Sequence, residues 1–214
     1  MIEAVIFDMD GVISDTQKIH SEVESEIFSR YDVKITPEEI SDKYAGVRTR
    51  EVFTKILSSK GVDFDVEELM QEKTSKAIAK FKISVDPVDG IYDLLDLLDK
   101  LNIKKAVASA SFSELINIIL NQLNVVDRFD ALVGADMVSN GKPDPEIFLL
   151  AAKTINVNPE KCLVIEDGLS GMIGASKANM KCIGLVRKVD FDKYPTKNQI
   201  LSLRDIDEEY LLRL

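Results

Sequence analysis

Ala4-Val5-Ile6-Phe7-Asp8-Met9-Asp10-Gly11 sets four unbroken apolar residues directly against two carboxylates and a glycine. An apolar run without alternation suits a strand covered on both faces, the environment of a parallel sheet. Runs of the same kind recur at 105–109, 131–134, 162–165 and 182–186. Helical stripes lie between them. Ile91, Leu94, Leu95, Leu98 and Leu101 share one face of a helix over 90–101, and Leu115, Ile116, Ile119, Leu120 and Leu123 repeat the pattern over 113–123. Further helices are expected over 147–155 and 170–178, with an edge strand over 200–203 and a short helix over 205–214. Strands alternating with helices predict an α/β fold built on a doubly wound parallel sheet.

Residues 16–82 break the alternation. This stretch is rich in Glu and Lys, contains no buried strand pattern, and reads as helices at about 16–30, 37–44, 48–60 and 65–81. A crossover between parallel strands needs only about a dozen residues. The stretch therefore reads as an inserted all-helical domain, with 1–15 and 83–214 forming the α/β core.

Composition narrows the function classes. With 27 Lys+Arg against 37 Asp+Glu the net charge is −10, which argues against a broad nucleic-acid surface. Cys162 and Cys182 each sit in an apolar run and read as buried thiols, not as a disulfide or a metal site. Glu3 follows the first methionine too closely for the apolar region of a signal peptide, and no apolar run is long enough to span a bilayer. A cytoplasmic protein without a nucleic-acid or membrane partner is expected.

Four groups of residues carry the chemistry. Asp8 and Asp10, two apart, point to the same side of an extended chain where a buried strand ends, and Gly11 permits a sharp turn there. Ligands of open α/β sheets bind outside those carboxyl ends. Ser109 ends the second strand and is followed by Ala110 and Ser111 ahead of a helix, so hydroxyl and backbone N–H groups can receive an anion. Lys142 is held in a proline-bounded loop, Gly141-Lys142-Pro143-Asp144-Pro145, where it can neutralise a phosphate; Asp144 is read as the N-cap of the following helix. Glu166 and Asp167 repeat the strand-end pattern. Buried acids are costly without a cation, and a hard cation with oxygen ligands, Mg²⁺, answers that cost. Singly, each group has an ordinary reading: an Asp-Gly turn, a capping serine, a solvated lysine, acids at a helix start. Together they supply a nucleophile, a metal site, a cation and in-line positioning for phosphoryl transfer.

Asp8-x-Asp10-Gly-x-x-x-Asp15-Thr16, then Ser109, Lys142-Pro-Asp-Pro and Glu166-Asp167-Gly-x-x-Gly171 resemble the haloacid-dehalogenase-like phosphotransferase superfamily, in its subfamily with a helical cap after the first strand. The resemblance spans essentially the whole chain and looks closest to the β-phosphoglucomutase and sugar-phosphate phosphatase branches. It implies that Asp8 attacks phosphorus and that Asp10 exchanges protons with the leaving and entering oxygens. It implies that Ser109, Ala110 and Lys142 hold the phosphoryl group, and that Mg²⁺ sits on Asp8, the Asp10 carbonyl and Asp167 with Glu166 in support. It further implies a cis Lys142–Pro143 bond, a small phosphorylated substrate and a monomeric protein. In the helical insertion, His20 and Arg48, Arg50 or Lys76 are the candidate substrate contacts. Thr49 stands where the mutase pattern has its arginine, and Phe112-Ser113 replaces the mutases' Lys-Asn. The expected activity is therefore Mg²⁺-dependent phosphatase action on a sugar phosphate. A β-phosphoglucomutase and a phospho-acceptor signalling or binding protein are the alternatives. Dehalogenase chemistry, which uses no metal, would leave Asp10, Glu166 and Asp167 without a purpose.

Overall fold

The computed structural model describes residues 2–44 and 49–214, the side chain of Asp42 excepted. The chain divides into two compact units, Met1–Asp15 with Asp86–Leu214, and Thr16–Val85. The return to the first unit thus falls three residues beyond the boundary read from the sequence.

Among the described residues the first unit holds one sheet of six parallel strands. These are β1 (Ala4–Phe7), β2 (Lys104–Ala108), β3 (Ala131–Val133), β4 (Cys162–Glu166), β5 (Lys181–Leu185) and β6 (Asn198–Ile200), ordered β3-β2-β1-β4-β5-β6. The order runs one way from β1 to β3 and the other way from β4 to β6. The direction therefore switches between β1 and β4, where α/β sheets open a crevice. The last strand is a correction: it covers 198–200, and the apolar Leu203 caught by the sequence pattern starts a short 3₁₀ turn, Leu203–Asp205, instead. Ser202 and Asp205 form a reciprocal capping box there, which ends the extended backbone early.

Strand alternation puts Ala4 and Ile6 on one face of the sheet and Val5 and Phe7 on the other. Ala4 and Ile6 join a buried cluster with Val164, with Phe148 and Ala151 of a helix over Glu146–Thr154, and with Met172 and Ala175 of a helix over Leu169–Lys177. Phe7 packs edge-on against Phe129, 5.8 Å between ring centroids.

The second unit contains α1 (Gln17–Ser29), α2 (Pro37–Tyr44), α3 (Thr49–Ser59) and α4 (Val66–Phe81). Val23, Ile27, Phe28, Phe53, Leu57, Leu69 and Phe81 are its buried residues of largest consequence. Each is worth about 1.5–3 kcal/mol when fully covered. The remaining helices belong to the first unit: α5 (Ile91–Lys100), α6 (Ser113–Gln122), α7 (Glu146–Thr154), α8 (Leu169–Lys177) and α9 (Glu208–Arg213). No described helix is long and apolar enough to cross a membrane. Cys162 and Cys182 are both free and buried, and burial raises their thiols to about 11 and about 12.

Candidate active site

The ladder between β1 and β4 runs one step past Phe7: the Asp8 N–H donates to the Ile165 carbonyl at 2.9 Å. The chain then coils. The Met9 carbonyl accepts from the N–H of Ile13 at 2.9 Å and Ser14 at 3.1 Å, and from the Ser14 hydroxyl at 3.3 Å. Gly11 closes the turn at φ +82°, a conformation that L side chains rarely adopt. A Cβ at Gly11 would also collide with the Asp167 carboxyl. One glycine therefore serves both the turn and the close approach of the acid that follows β4.

Carboxylate oxygens of Asp8, Glu166 and Asp167 all lie within 4.8 Å of one another. Lys142 donates to Asp8 and, at 2.8 Å, to Glu166. Its side chain is only 6% exposed and its ammonium lies 5.1 Å from the centroid of the Phe148 ring. The Lys142–Pro143 peptide is cis. The loop that carries Lys142 is braced by Glu146, whose carboxylate accepts from the N–H of Ser139 and Asn140, both at 2.9 Å. Asp144 accepts from the Glu146 N–H at 3.0 Å, and α7 begins at Glu146 with Pro145 just before it. The helix cap is thus shifted by one residue from the sequence reading.

Ser109 is fully buried at the end of β2, and its N–H donates to the Val133 carbonyl at 3.0 Å. Its hydroxyl oxygen accepts from the Ser111 N–H at 3.0 Å, and the Ser111 hydroxyl donates to Asp10 at 3.1 Å. Ala110, between them, is exposed. Ser111, which carries the link to Asp10, was visible in the sequence only as a neighbour of Ser109.

The electrostatics follow from three acids around one lysine. Burial raises the Asp8 carboxyl above its ordinary value, Lys142 works against that, and Asp10 adds to it. Burial, then the Asp8 charge, likewise raises Glu166. Asp167 has an exposed outer surface, but its carboxyl faces inward over Gly11. That enclosure, followed by the charges of Asp8, Glu166 and Asp10, pushes it up to about 8. Burial alone would lower Lys142; the charges of Asp8 and Glu166 outweigh it and hold the ammonium above its ordinary value. Three oxygen-donor acids with one resident cation leave a deficit of positive charge, which fits a divalent ion such as Mg²⁺.

The helical-insertion candidates are placed differently. Arg50 pairs with Glu67 on the surface, and Lys76 pairs with Glu26 at 3.6 Å and Glu72 at 3.5 Å. Arg48 lies outside the described residues. His20 packs edge-on against Phe81, with no hydrogen-bond partner for its buried Nδ1 among the described residues. Burial, then the Lys73 charge, lowers His20 to about 4, against the opposing pull of Glu24. Sequence reasoning missed its surroundings. Lys73 donates to Thr49 at 2.8 Å and pairs with Glu24 at 3.1 Å, and Thr49 donates to Glu24 at 3.0 Å. The spacing of His20 and Glu24, one helical turn apart, was the only local signal for this network.

Three acids and a buried lysine gathered where the strand order reverses, with a buried serine beyond the end of β2, make up the candidate active site of an α/β fold. The chain belongs to the haloacid dehalogenase-like hydrolase family, whose model matches residues 5–185, and is an enzyme of that family. It is 32% identical over 193 residues to the phosphorylated carbohydrates phosphatase of Thermotoga maritima, covering 90% of this chain and 89% of the relative. It is 33% identical over 192 residues to the beta-phosphoglucomutase of Bacillus subtilis, covering 86% and 83%. The crystal structure of beta-phosphoglucomutase from Clostridium difficile superposes with a TM-score of 0.78 at 30% identity, covering 100% of this chain and 96% of that one.

Proposed function

We propose that this enzyme is a Mg²⁺-dependent phosphatase of a small sugar phosphate, working through an aspartyl-phosphate on Asp8. The observation that carries the proposal is the cluster of Asp8, Glu166 and Asp167 closed by Lys142. In the proposed reaction an Asp8 oxygen forms a bond to phosphorus as the bond to the leaving oxygen breaks, and Asp10 gives that oxygen its proton. Water then attacks the same phosphorus, Asp10 takes the water proton, and inorganic phosphate leaves with Asp8 restored. Ser109 and Lys142 hold the phosphoryl oxygens. Asp8, Asp167 and the Asp10 carbonyl, with Glu166 beside them, would hold Mg²⁺, whose charge offsets the repulsion between Asp8 and the phosphate. The helical unit is proposed as the cap that selects the leaving group, and a monomer as the working form.

Phosphatase action is favoured over mutase action by the engaged cations. Arg50 and Lys76 are tied to acids, Thr49 occupies the mutase arginine position, and Phe112 replaces the mutase lysine. The named activity of the Thermotoga maritima relative supports the sugar-phosphate class.

Release of phosphate from p-nitrophenyl phosphate and a sugar-phosphate panel tests the proposal. Turnover is expected with Mg²⁺, with a loss of at least about 10³-fold in Asp8→Asn. A stable phosphoprotein without turnover would favour the signalling alternative. Conversion of β-glucose 1-phosphate to glucose 6-phosphate in the presence of the bisphosphate, without free phosphate, would favour the mutase.

A further inference from the structure

The Lys142 ammonium meets partners of unlike kinds. Asp8 and Glu166 are charged and belong to the acid cluster. The Phe148 ring is neutral, and the ammonium lies over it, 5.1 Å from the centroid. Phe148 is fully buried on the first turn of α7 and packs into the cluster that holds Ile6, Val164, Met172 and Ala175. Helix α8 closes on the ring at Gly174, where a Cβ would stand 3.1 Å from a ring carbon and 3.4 Å from the Asp144 carbonyl oxygen. The ring therefore has little room to move. The same turn of α7 also fixes the root of the lysine, because Glu146 accepts from the N–H of Ser139 and Asn140 in the loop just before it. Most buried phenylalanines serve packing alone. This one is set apart by the cation over its face.

We propose that Phe148 is a positioning residue for phosphoryl transfer, its ring holding the Lys142 ammonium in place when Asp8 and Glu166 are engaged elsewhere. Both acids attract the lysine in the empty site. Their pull weakens once a divalent ion shares their charge. The ring binds no hard cation and takes no proton, so its attraction persists through those changes. The negative face of an aromatic ring attracts an ammonium most where water is excluded. Lys142, 6% exposed, meets that condition. A third carboxylate in the same place would hold the lysine more strongly, but it would also repel the phosphate. The inference rests on the phosphatase reading and adds the part of the site that keeps its cation aimed.

Phenylalanines carrying one, two or three ring fluorines, placed at position 148, test the proposal without emptying the core. Fluorine weakens the negative face of the ring and leaves its size nearly unchanged, so the electrostatic role separates from packing. Two quantities would be followed in Mg²⁺: kcat/KM for p-nitrophenyl phosphate, and calorimetric affinity for inorganic phosphate. Each fluorine should lower them further, to a loss of roughly tenfold with three. The Mg²⁺ concentration for half-saturation should stay within about twofold, because the acids are untouched. The same series at Phe7, fully buried beside Asp8 but packed against Phe129, is the control and should change neither quantity by more than about twofold. A graded loss in either quantity, confined to position 148, supports the proposal. Values flat in both, an equal loss along the Phe7 series, or a parallel loss of Mg²⁺ affinity would overturn it. Graded loss of phosphate affinity in a protein that releases phosphate from no substrate would leave the role of the ring standing and reject the phosphatase reading alone.

Discussion

A methyl group at position 171 would occupy the space that the Glu166 carboxylate now fills. Glu166 is 3% exposed and is held by Lys142 at 2.8 Å and by the Gly168 N–H at 2.6 Å, so it has nowhere cheap to go. Two effects compete in Gly171→Ala. Inside α8, alanine is favoured over glycine by about 1 kcal/mol of helix propensity. Displacing a buried, doubly bonded carboxylate costs more than that. The expected outcome is a fall of roughly 10–100-fold in Mg²⁺ affinity or kcat/KM, the range for groups that orient a metal site. Magnesium titrations of phosphate release would check it, and undiminished activity in a more stable protein would contradict the steric argument.

Ion pairs within the helical unit differ by their setting on the helices. Lys43 and Glu39 lie one turn apart on α2 with side chains 61% and 44% exposed, a pair worth a few tenths of a kcal/mol. Lys73 of α4 and Glu24 of α1 are 13% and 8% exposed, and Thr49 of α3 bonds to both. Truncating one member of such a pair leaves the other charge buried and uncompensated, at about 3–5 kcal/mol. Lys73→Met should therefore lower the thermal midpoint by many degrees, while Lys43→Met should shift it by no more than about a degree or two. Paired melts would decide this, with equal shifts counting against the burial argument.

Over the whole molecule, 37 acids against 27 bases give an acidic surplus, and part of it is concentrated at Asp8, Asp10, Glu166 and Asp167. That arrangement costs folding free energy when no divalent ion is supplied. The Asp167 carboxyl is raised from 3.8 to about 8, so between those values the folded state holds a proton that the unfolded state has lost. Stability from this group is therefore present at low pH and falls as pH rises toward 8. Asp167→Asn removes the penalty. In chelator, its midpoint should exceed that of the unsubstituted protein at pH 8, and the gap should narrow by pH 5. With Mg²⁺ the unsubstituted protein should gain the larger ligand-induced shift, because it keeps the carboxylate proposed to hold the ion. Scanning calorimetry at both pH values, with and without Mg²⁺, gives the comparison.

What Ala4-Val5-Ile6-Phe7-Asp8 determined by itself was a buried strand delivering an acid at its carboxyl end, and the later apolar runs determined the same for Ser109 and Glu166. Such features are local, because burial pattern and helical period are written in neighbouring residues. The helices of the 16–82 stretch were legible for that reason too. Tertiary structure alone decided which groups meet. Lys142 reaches Asp8 across 134 residues of sequence, and Thr49 reaches Glu24 across 25. It also moved the last strand to Asn198–Ile200, where pairing with β5 outweighs the apolar run that follows. Only the folded molecule revealed that Gly11 and Gly171 are spaces for the carboxylates of Asp167 and Glu166. Strand register and side-chain packing set those distances, and neither is encoded in the spacing of residues along one segment.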